Sequence, residues 1–256
     1  YTYLPSTSKF ADEAQNINLH QAYTDNQLYY LRKTNGFGIE LTTGLSGRLT
    51  LLNQTTDFKA HRMQLYARLS LSWEKSEFRI TITPNMTWEH HPNQKKNRGY
   101  FNPQLYIRHR LSSRWSIQAS AALQHRSENL EAYYSTPYYR NYRTLVHMKK
   151  ELGKTQSQSY MLYTEYKRPV KEFFWTLMLN HFNIRQDHLM HTEYQDNQFK
   201  LTSLEHPHRT ENYQARSLIS KGFYSWNLKA SLEAVYQYGK GLQAGQGIVQ
   251  PYENHW

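Results

Sequence analysis

Between Arg62 and Trp73 the residues alternate without a break. Met63, Leu65, Ala67, Leu69, Leu71 and Trp73 fall on one parity, and Arg62, Gln64, Tyr66, Arg68, Ser70 and Ser72 on the other. Side chains of an extended strand project to opposite faces in turn, so this stretch has one apolar face and one polar, charged face. After Glu74-Lys75-Ser76-Glu77 the pattern resumes, with Phe78, Ile80, Ile82, Pro84, Met86 and Trp88 opposed to Arg79, Thr81, Thr83, Asn85, Thr87 and Glu89. The same rhythm returns in Phe37–Leu51, Phe101–Leu111, Trp115–Leu123 and Trp226–Tyr236, and less cleanly in 157–167, 173–185 and 212–220. No helical period competes with it. The chain is therefore expected to be all-β. Pro84 interrupts one strand, where a missing N–H calls for an edge or a bulge. His109 and His125 fall on nominally apolar parity.

Strand length and connection length narrow the class further. Soluble strands usually run about 5–6 residues, whereas a tilted strand needs about 9–11 to cross a bilayer, and Met63–Trp73 is of the second kind. Short connections at Glu74–Glu77, Ser112–Arg114, Arg168–Glu172 and Lys221–Ser225 alternate with long polar ones at Asn53–His61, His90–Tyr100, Arg126–Asn141 and Gln186–Asn212. Tight turns at one end and long loops at the other describe an antiparallel transmembrane β-barrel with periplasmic turns and extracellular loops. Trp73, Phe78, Trp115, Phe173, Trp175 and Trp226 flank the short turns, where a membrane girdle of amphipathic rings is expected. Trp88 and Phe101, at the long-loop end, suit the opposite girdle. Arg62, Arg68, Arg79, Arg108 and Arg110 avoid the apolar face and are expected to face the lumen.

Composition agrees with an unusual core. Only 38% of residues are apolar, against about 45–50% in ordinary domains, yet aromatics reach 15%, too many for a disordered chain. The net charge of +11 favours polyanionic neighbours such as lipopolysaccharide, an acidic membrane surface or nucleic acid. Basic residues are spread over many strands instead of forming one patch, which argues against a nucleic-acid site. The absence of cysteine removes disulfides, thiolate metal sites and thiol nucleophiles. The alternative that shares this alternation is a soluble basic β-sandwich, binding glycans or nucleic acid.

Several phrases resemble a known family. Gly99-Tyr100-Phe101-Asn102-Pro103-Gln104-Leu105, followed by Leu111-Ser112-Ser113-Arg114-Trp115-Ser116, resembles a barrel hairpin of TonB-dependent outer-membrane receptors. The version it looks like is the Bacteroidetes type, with a carboxypeptidase-regulatory-like N-terminal domain. Asn141-Tyr142-Arg143-Thr144-Leu145 and Tyr166-Lys167-Arg168-Pro169-Val170-Lys171-Glu172-Phe173-Phe174 are similar to it too, and the likeness extends over most of 36–240. The resemblance implies a 22-stranded, plugged barrel in the cell outer membrane that imports a nutrient such as a siderophore, glycan or peptide. Its expected partners are outer-membrane lipid, lipopolysaccharide and, through the parent chain, the TonB complex. Residues 1–256 are expected to form one partial barrel domain of about 10–12 strands, without the plug or the closing strands.

No nucleophile elbow, zinc-protease motif, Walker loop or dinucleotide fingerprint appears, so an enzyme is not expected, nor a cofactor. Loop histidines at His90-His91, His188, His191, His206 and His208 lack carboxylate or thiolate companions at ligand spacing, and no metal site is expected. The loop holding Tyr133, Tyr134, Tyr138, Tyr139 and Arg140 is the candidate substrate contact, since tyrosines give broad amphipathic surface at low entropic cost.

Overall fold

A computed structural model describes residues 2–10, 13–53, 57–91, 96–127, 137–141, 143–147, 153–195, 197–245 and 248–255. Sixteen strands form a single sheet. They are β1 (Thr2–Phe10), β2 (Glu13–Thr34), β3 (Phe37–Asn53), β4 (Asp57–Lys75), β5 (Phe78–Thr83), β6 (Asn85–His91), β7 (Lys96–Phe101) and β8 (Gln104–Arg110). The second half holds β9 (Trp115–Ser127), β10 (Tyr138–Asn141), β11 (Thr144–His147), β12 (Lys154–Arg168), β13 (Phe173–Gln195), β14 (Gln198–Phe223), β15 (Leu228–Gly245) and β16 (Ile248–His255). Neighbours in sequence pair antiparallel along an up-and-down path. The β10–β11 hairpin departs from it, laying Thr144–His147 parallel to Phe199–Thr202. Joining β5 to β6 and β7 to β8, and setting that hairpin aside, leaves twelve passes. Among the described residues β1 and β16 do not pair, so the barrel is open.

Pro84 explains the first division. It donates no hydrogen bond and interrupts the strand, while β4 runs past, pairing Leu71–Lys75 with β5 and Met63–Arg68 with β6. The Pro84 carbonyl still accepts from the Leu69 N–H at 3.0 Å. Directly beside it Asn102 and Pro103 divide β7 from β8, with the Asn102 N–H donating to the Asn85 carbonyl at 2.7 Å. The chain therefore carries two adjacent interruptions, and the sheet bends around both without losing its ladder.

Among the described residues five short turns lie at one end. Glu74–Glu77, Ser112–Arg114, Arg168–Glu172 and Lys221–Ser225 fall where expected, and Asn35-Gly36 adds one more between β2 and β3. Two of them, Pro169–Lys171 and Tyr224–Trp226, are single 3-10 turns closed by a left-handed residue, Glu172 (φ 48°) and Asn227 (φ 48°). Gly36 has φ 76°, and its carbonyl accepts the Glu74 N–H at 2.6 Å, tying the β2–β3 turn to β4. A β-carbon at Gly36 would meet the Glu74 carbonyl oxygen. Gly36→Val is therefore expected to slow refolding into detergent micelles, because strain at positive φ costs about 1–3 kcal/mol before the collision is counted. Refolding yield followed by gel mobility checks it, and a wild-type yield would show that the turn yields easily.

At the opposite end the connections are less loop-like than their composition suggests. β13 and β14 stay paired out to Gln195 and Gln198, so the polar stretch Gln186–Asn212 is a long hairpin. β3 and β4 likewise pair to Asn53 and Asp57, and β6 and β7 to His91 and Lys96.

Parity assigns the two faces. On one, the rows Ile80–Ile107–Ala119–Leu162–Leu179–Ala215–Tyr236 and Leu71–Ile82–Leu105–Ala121 cross the sheet strand by strand. On the other, Thr42–Arg68–Asn85 and Tyr106–Ser120–Met161–Asn180–Gln214–Gln237 do so. Only Tyr100, Val146, Leu189 and Ala244 are buried apolar residues among those described. Large side chains of the apolar face stay open, Leu65 at 52% and Met86 at 61%, because no second layer covers them.

Candidate functional site

The apolar face has two aromatic borders. Near the short turns Trp73 packs on Phe78 with centroids 5.7 Å apart, and Phe78 meets His109 edge-on at 5.7 Å. Farther along, Trp115 meets Tyr166 at 5.5 Å and Trp175 at 5.9 Å, and Tyr166 meets Phe173 at 6.0 Å. The indole N–H groups are satisfied on the same face, Trp115 donating to Thr164 Oγ1 at 2.8 Å and Trp175 to Ser217 Oγ at 3.0 Å. Trp226 stands in its 3-10 turn, stacked on Phe223 at 6.0 Å. The six residues expected at this level are thus gathered at one end of the sheet. The border also explains His109, whose ring belongs to the row.

The second border was not legible beforehand beyond Trp88 and Phe101. It is a cross-strand row of Tyr160, His181, Tyr213 and Tyr238 on β12 to β15. Tyr160 stacks on His181 at 5.9 Å, His181 on Tyr213 at 4.2 Å, and Tyr213 lies 5.9 Å from Tyr238. Phe173 and His181 are eight residues apart on β13. At about 3.3 Å per residue that is about 26 Å along the strand, or about 20 Å of height at the usual barrel tilt.

Beyond this row the same parity turns polar. Gln158, Asn183, Glu211 and Lys240 follow it on the four strands. Asn183 donates to Gln158 Oε1 at 2.9 Å, Arg209 donates to Asn183 Oδ1 at 2.7 Å and pairs with Glu211 at 2.9 Å, and Lys240 meets Glu211 at 3.2 Å. The hydrogen bond from Lys240 holds the Glu211 carboxyl below the ordinary carboxylate range, and the same bond raises the Lys240 ammonium above its own.

The five arginines share the polar parity. Arg79 stands opposite Arg108 on β8 and opposite Glu74 on β4, and Arg110 reaches Glu77 at 3.3 Å, so three gather near the turns. Arg68 lies opposite Thr42 and Asn85, and Arg62 opposite Arg48 towards the other end. The structure does not bring all five into one cluster.

Near the loop end the polar parity holds a buried network with no sequence signature. The Glu89 carboxylate, on a residue 3% exposed, accepts from Ser127 Oγ at 2.6 Å and contacts His91 Nε2 at 3.1 Å. It also accepts from Gln64 Nε2, and Tyr100 shares a 2.6 Å bond with Ser127. His91, expected as a solvated loop histidine, is 1% exposed. His191, also buried, pairs with Glu193 at 2.9 Å. Among the described residues no three His, Asp or Glu side chains converge on a metal position. His125 stacks on Tyr100 at 6.3 Å, and its ring Nδ1 lies 3.1 Å from the Phe101 carbonyl and 3.3 Å from Asn102 Oδ1, which accounts for an imidazole on nominally apolar parity.

Of the candidate substrate contacts, Tyr133 and Tyr134 lie outside the described residues. Tyr138 and Tyr139 pair their backbones with Val146 and Leu145 in the β10–β11 hairpin, with Arg140 next in the strand.

No family model matches this sequence, and no curated protein does. Solved structures do. The siderophore receptor PirA from Pseudomonas aeruginosa is similar at a TM-score of 0.57 and 14% identity, over 94% of this chain and 50% of that one. The hemophore receptor HasR of Serratia marcescens, solved with its hemophore HasA and heme, gives 0.54 and 6%, over 90% and 50%. The FrpB iron transporter from Neisseria meningitidis gives 0.53 and 9%, over 94% and 36%. The chain thus spans half or less of the length of these neighbours. The likeness establishes the fold: an open stretch of the antiparallel barrel found in outer-membrane receptors and transporters.

Proposed function

We propose that this chain forms part of the barrel of a TonB-dependent receptor in the cell outer membrane, taking up a nutrient such as a siderophore, glycan or peptide. One observation carries the reading: a continuous apolar face that no protein layer covers, bordered by an aromatic row at each end. A β-sandwich needs a dry layer between two sheets, whereas here one sheet leaves Leu65, Met86 and Leu162 open. Lipid is the remaining cover for such a face, with the rings at the two headgroup levels.

In this reading Trp73, Phe78, Trp115, Phe173, Trp175 and Trp226 form the periplasmic girdle, and Tyr160, His181, Tyr213 and Tyr238 belong to the external one. Arg62, Arg68, Arg79, Arg108 and Arg110 line the lumen, where they attract an anionic substrate or pair with acidic groups of a plug. Tyr133, Tyr134, Tyr138, Tyr139 and Arg140 touch the nutrient. The plug, a Bacteroidetes-type N-terminal domain and the contact with TonB belong to a longer chain, and lipid and lipopolysaccharide surround the barrel. The neighbours named for siderophore, iron and heme make ferric chelates the first substrates to offer.

The test is membrane fractionation of the full-length protein, followed by gel mobility with and without boiling. Outer-membrane recovery with a heat-dependent shift is expected. A soluble protein lacking that shift would overturn the reading and return attention to a basic glycan- or nucleic-acid-binding sheet.

A further inference from the structure

Just past the row Tyr160–His181–Tyr213–Tyr238, on the parity that is apolar below it, stand Arg185, Arg209 and Lys240, and Glu211 pairs with the last two. Arg185 of β13 lies directly opposite Arg209 of β14. Two like charges at facing positions repel, and this pair is only half compensated in place. Arg209 is fixed by Asn183 and Glu211, and Glu211 is shared with Lys240. Arg185 has no carboxylate partner among the described residues. A hollow of about 370 Å³ opens here, with Gln156, Arg185, His208 and Arg209 in its lining.

Across the aromatic row lies a second hollow of about 610 Å³. Ala119, Ala121 and Ala215 form its floor, and Tyr160, Leu162 and Leu179 stand around it. The alanines end at their β-carbons while the neighbours rise, so the groove is set by sequence. Tyr160 and His181, which line the apolar hollow, are two residues from Gln158 and Asn183, which line the polar one. An alanine-floored apolar hollow beside a doubly cationic, amide-lined one matches an acylated molecule with a phosphate head. Guanidinium forks bind phosphate through paired hydrogen bonds, and the anion would relieve the Arg–Arg repulsion.

We propose that the two hollows together hold one phosphate-bearing, acylated glycolipid of the external leaflet, with its phosphate between Arg185 and Arg209 and an acyl chain in the alanine-floored groove. The assignment rests on the receptor reading above, because it takes this face as lipid-facing and this end as external.

The experiment uses the full-length protein purified in non-ionic detergent, its heat-dependent gel shift verified first, then exchanged against lipid A and followed by native mass spectrometry. Wild type is expected to retain one bis-phosphorylated lipid A, and to bind dephosphorylated lipid A at least tenfold more weakly. Millimolar inorganic phosphate should not displace the lipid, since the groove supplies part of the affinity. R185A/R209A is expected to lose at least tenfold while keeping the gel shift. Ala121→Trp, which fills the groove and leaves the charges, should also weaken binding, and it stands in if the double variant fails to assemble. Equal retention of phosphorylated and dephosphorylated lipid, displacement by phosphate alone, or unchanged binding in assembled variants would each overturn the site. Loss of the gel shift in wild type would instead count against the receptor reading.

Discussion

Leu69→Arg is expected to abolish most of the assembled, heat-shifting protein in outer-membrane preparations, while Arg68→Leu leaves assembly within about twofold of wild type. The two positions are adjacent on β4, yet they pair with Leu41 and Thr42 respectively and so lie on opposite faces. Leu69 is four residues from Trp73, about 13 Å along the strand, which places it near the middle of the apolar band. A cation held there costs about 2–4 kcal/mol, and its distance from both borders keeps the charged head from snorkelling out of the band. Arg68 faces Asn85 and Thr42, where exchanging a guanidinium for an apolar group removes charge without meeting lipid. Quantifying the shifted band by immunoblot decides between the faces. Equal yields for the two variants would mean that the alternation of β4 does not report on lipid exposure, and the receptor reading would lose its main physical support.

The strands that cross the apolar band were legible because each has two different environments. Arg62–Trp73 and Phe78–Trp88 alternate cleanly for that reason, and their pairing through β4, β5 and β6 follows the sequence pattern residue by residue. The outer part of the β13–β14 hairpin was not legible. From Gln186 to Asn212 the few apolar residues, Leu189, Met190, Phe199, Leu201 and Leu204, are scattered among polar ones, so period two disappears from the sequence although the backbone ladder continues to Gln195 and Gln198. Composition then reads as loop, because isolated apolar residues such as Leu189 do not make an alternating face. The turn at Asn35-Gly36 was the opposite case. Its signal is among the strongest a hairpin can carry, but it adjoins a β2 whose faces mix Tyr29, Leu28 and Gln27 and so gave no alternation to frame it.

Site legibility followed the same logic. The six residues expected at a girdle could be singled out because tryptophan and phenylalanine recur beside the short turns. The upper row needed register. Tyr160, His181, Tyr213 and Tyr238 are widely separated in sequence, and only cross-strand pairing makes them neighbours. The outward cations Arg185 and Arg209 were hidden for a related reason, since parity along β13 and β14 gives meaning only after the apolar band is seen to stop at His181 and Tyr213. The arginines expected in the lumen were read from parity alone, and register adds that Arg79 and Arg108 face one another while Arg62 is remote.

Glu89→Ala is expected to release the β6–β7 hairpin from the rest of the sheet while the remainder stays protected. β7 has only β6 as a strand partner, so its edge towards β9 depends on side chains. Glu89 supplies part of that link, beside the bonds between Asn102 and His125: Gln64 of β4 and Ser127 of β9 both donate to it, and Ser127 in turn meets Tyr100 of β7. Arg98 adds one bond to the Gly153 carbonyl at 3.2 Å. Removing the carboxylate leaves a buried imidazole, a hydroxyl and an amide short of a partner, and each buried polar group left unsatisfied costs about 1–3 kcal/mol. Hydrogen exchange of the full-length protein in nanodiscs should show faster exchange over Lys96–Phe101, with β12–β14 unchanged. Glu89→Gln keeps an acceptor oxygen and the side-chain volume, so it should recover part of the protection. Wild-type exchange in the alanine variant would assign the hairpin's order to the backbone ladder of β6 and β7 alone. Accelerated exchange throughout would instead make Glu89 a support for the whole sheet.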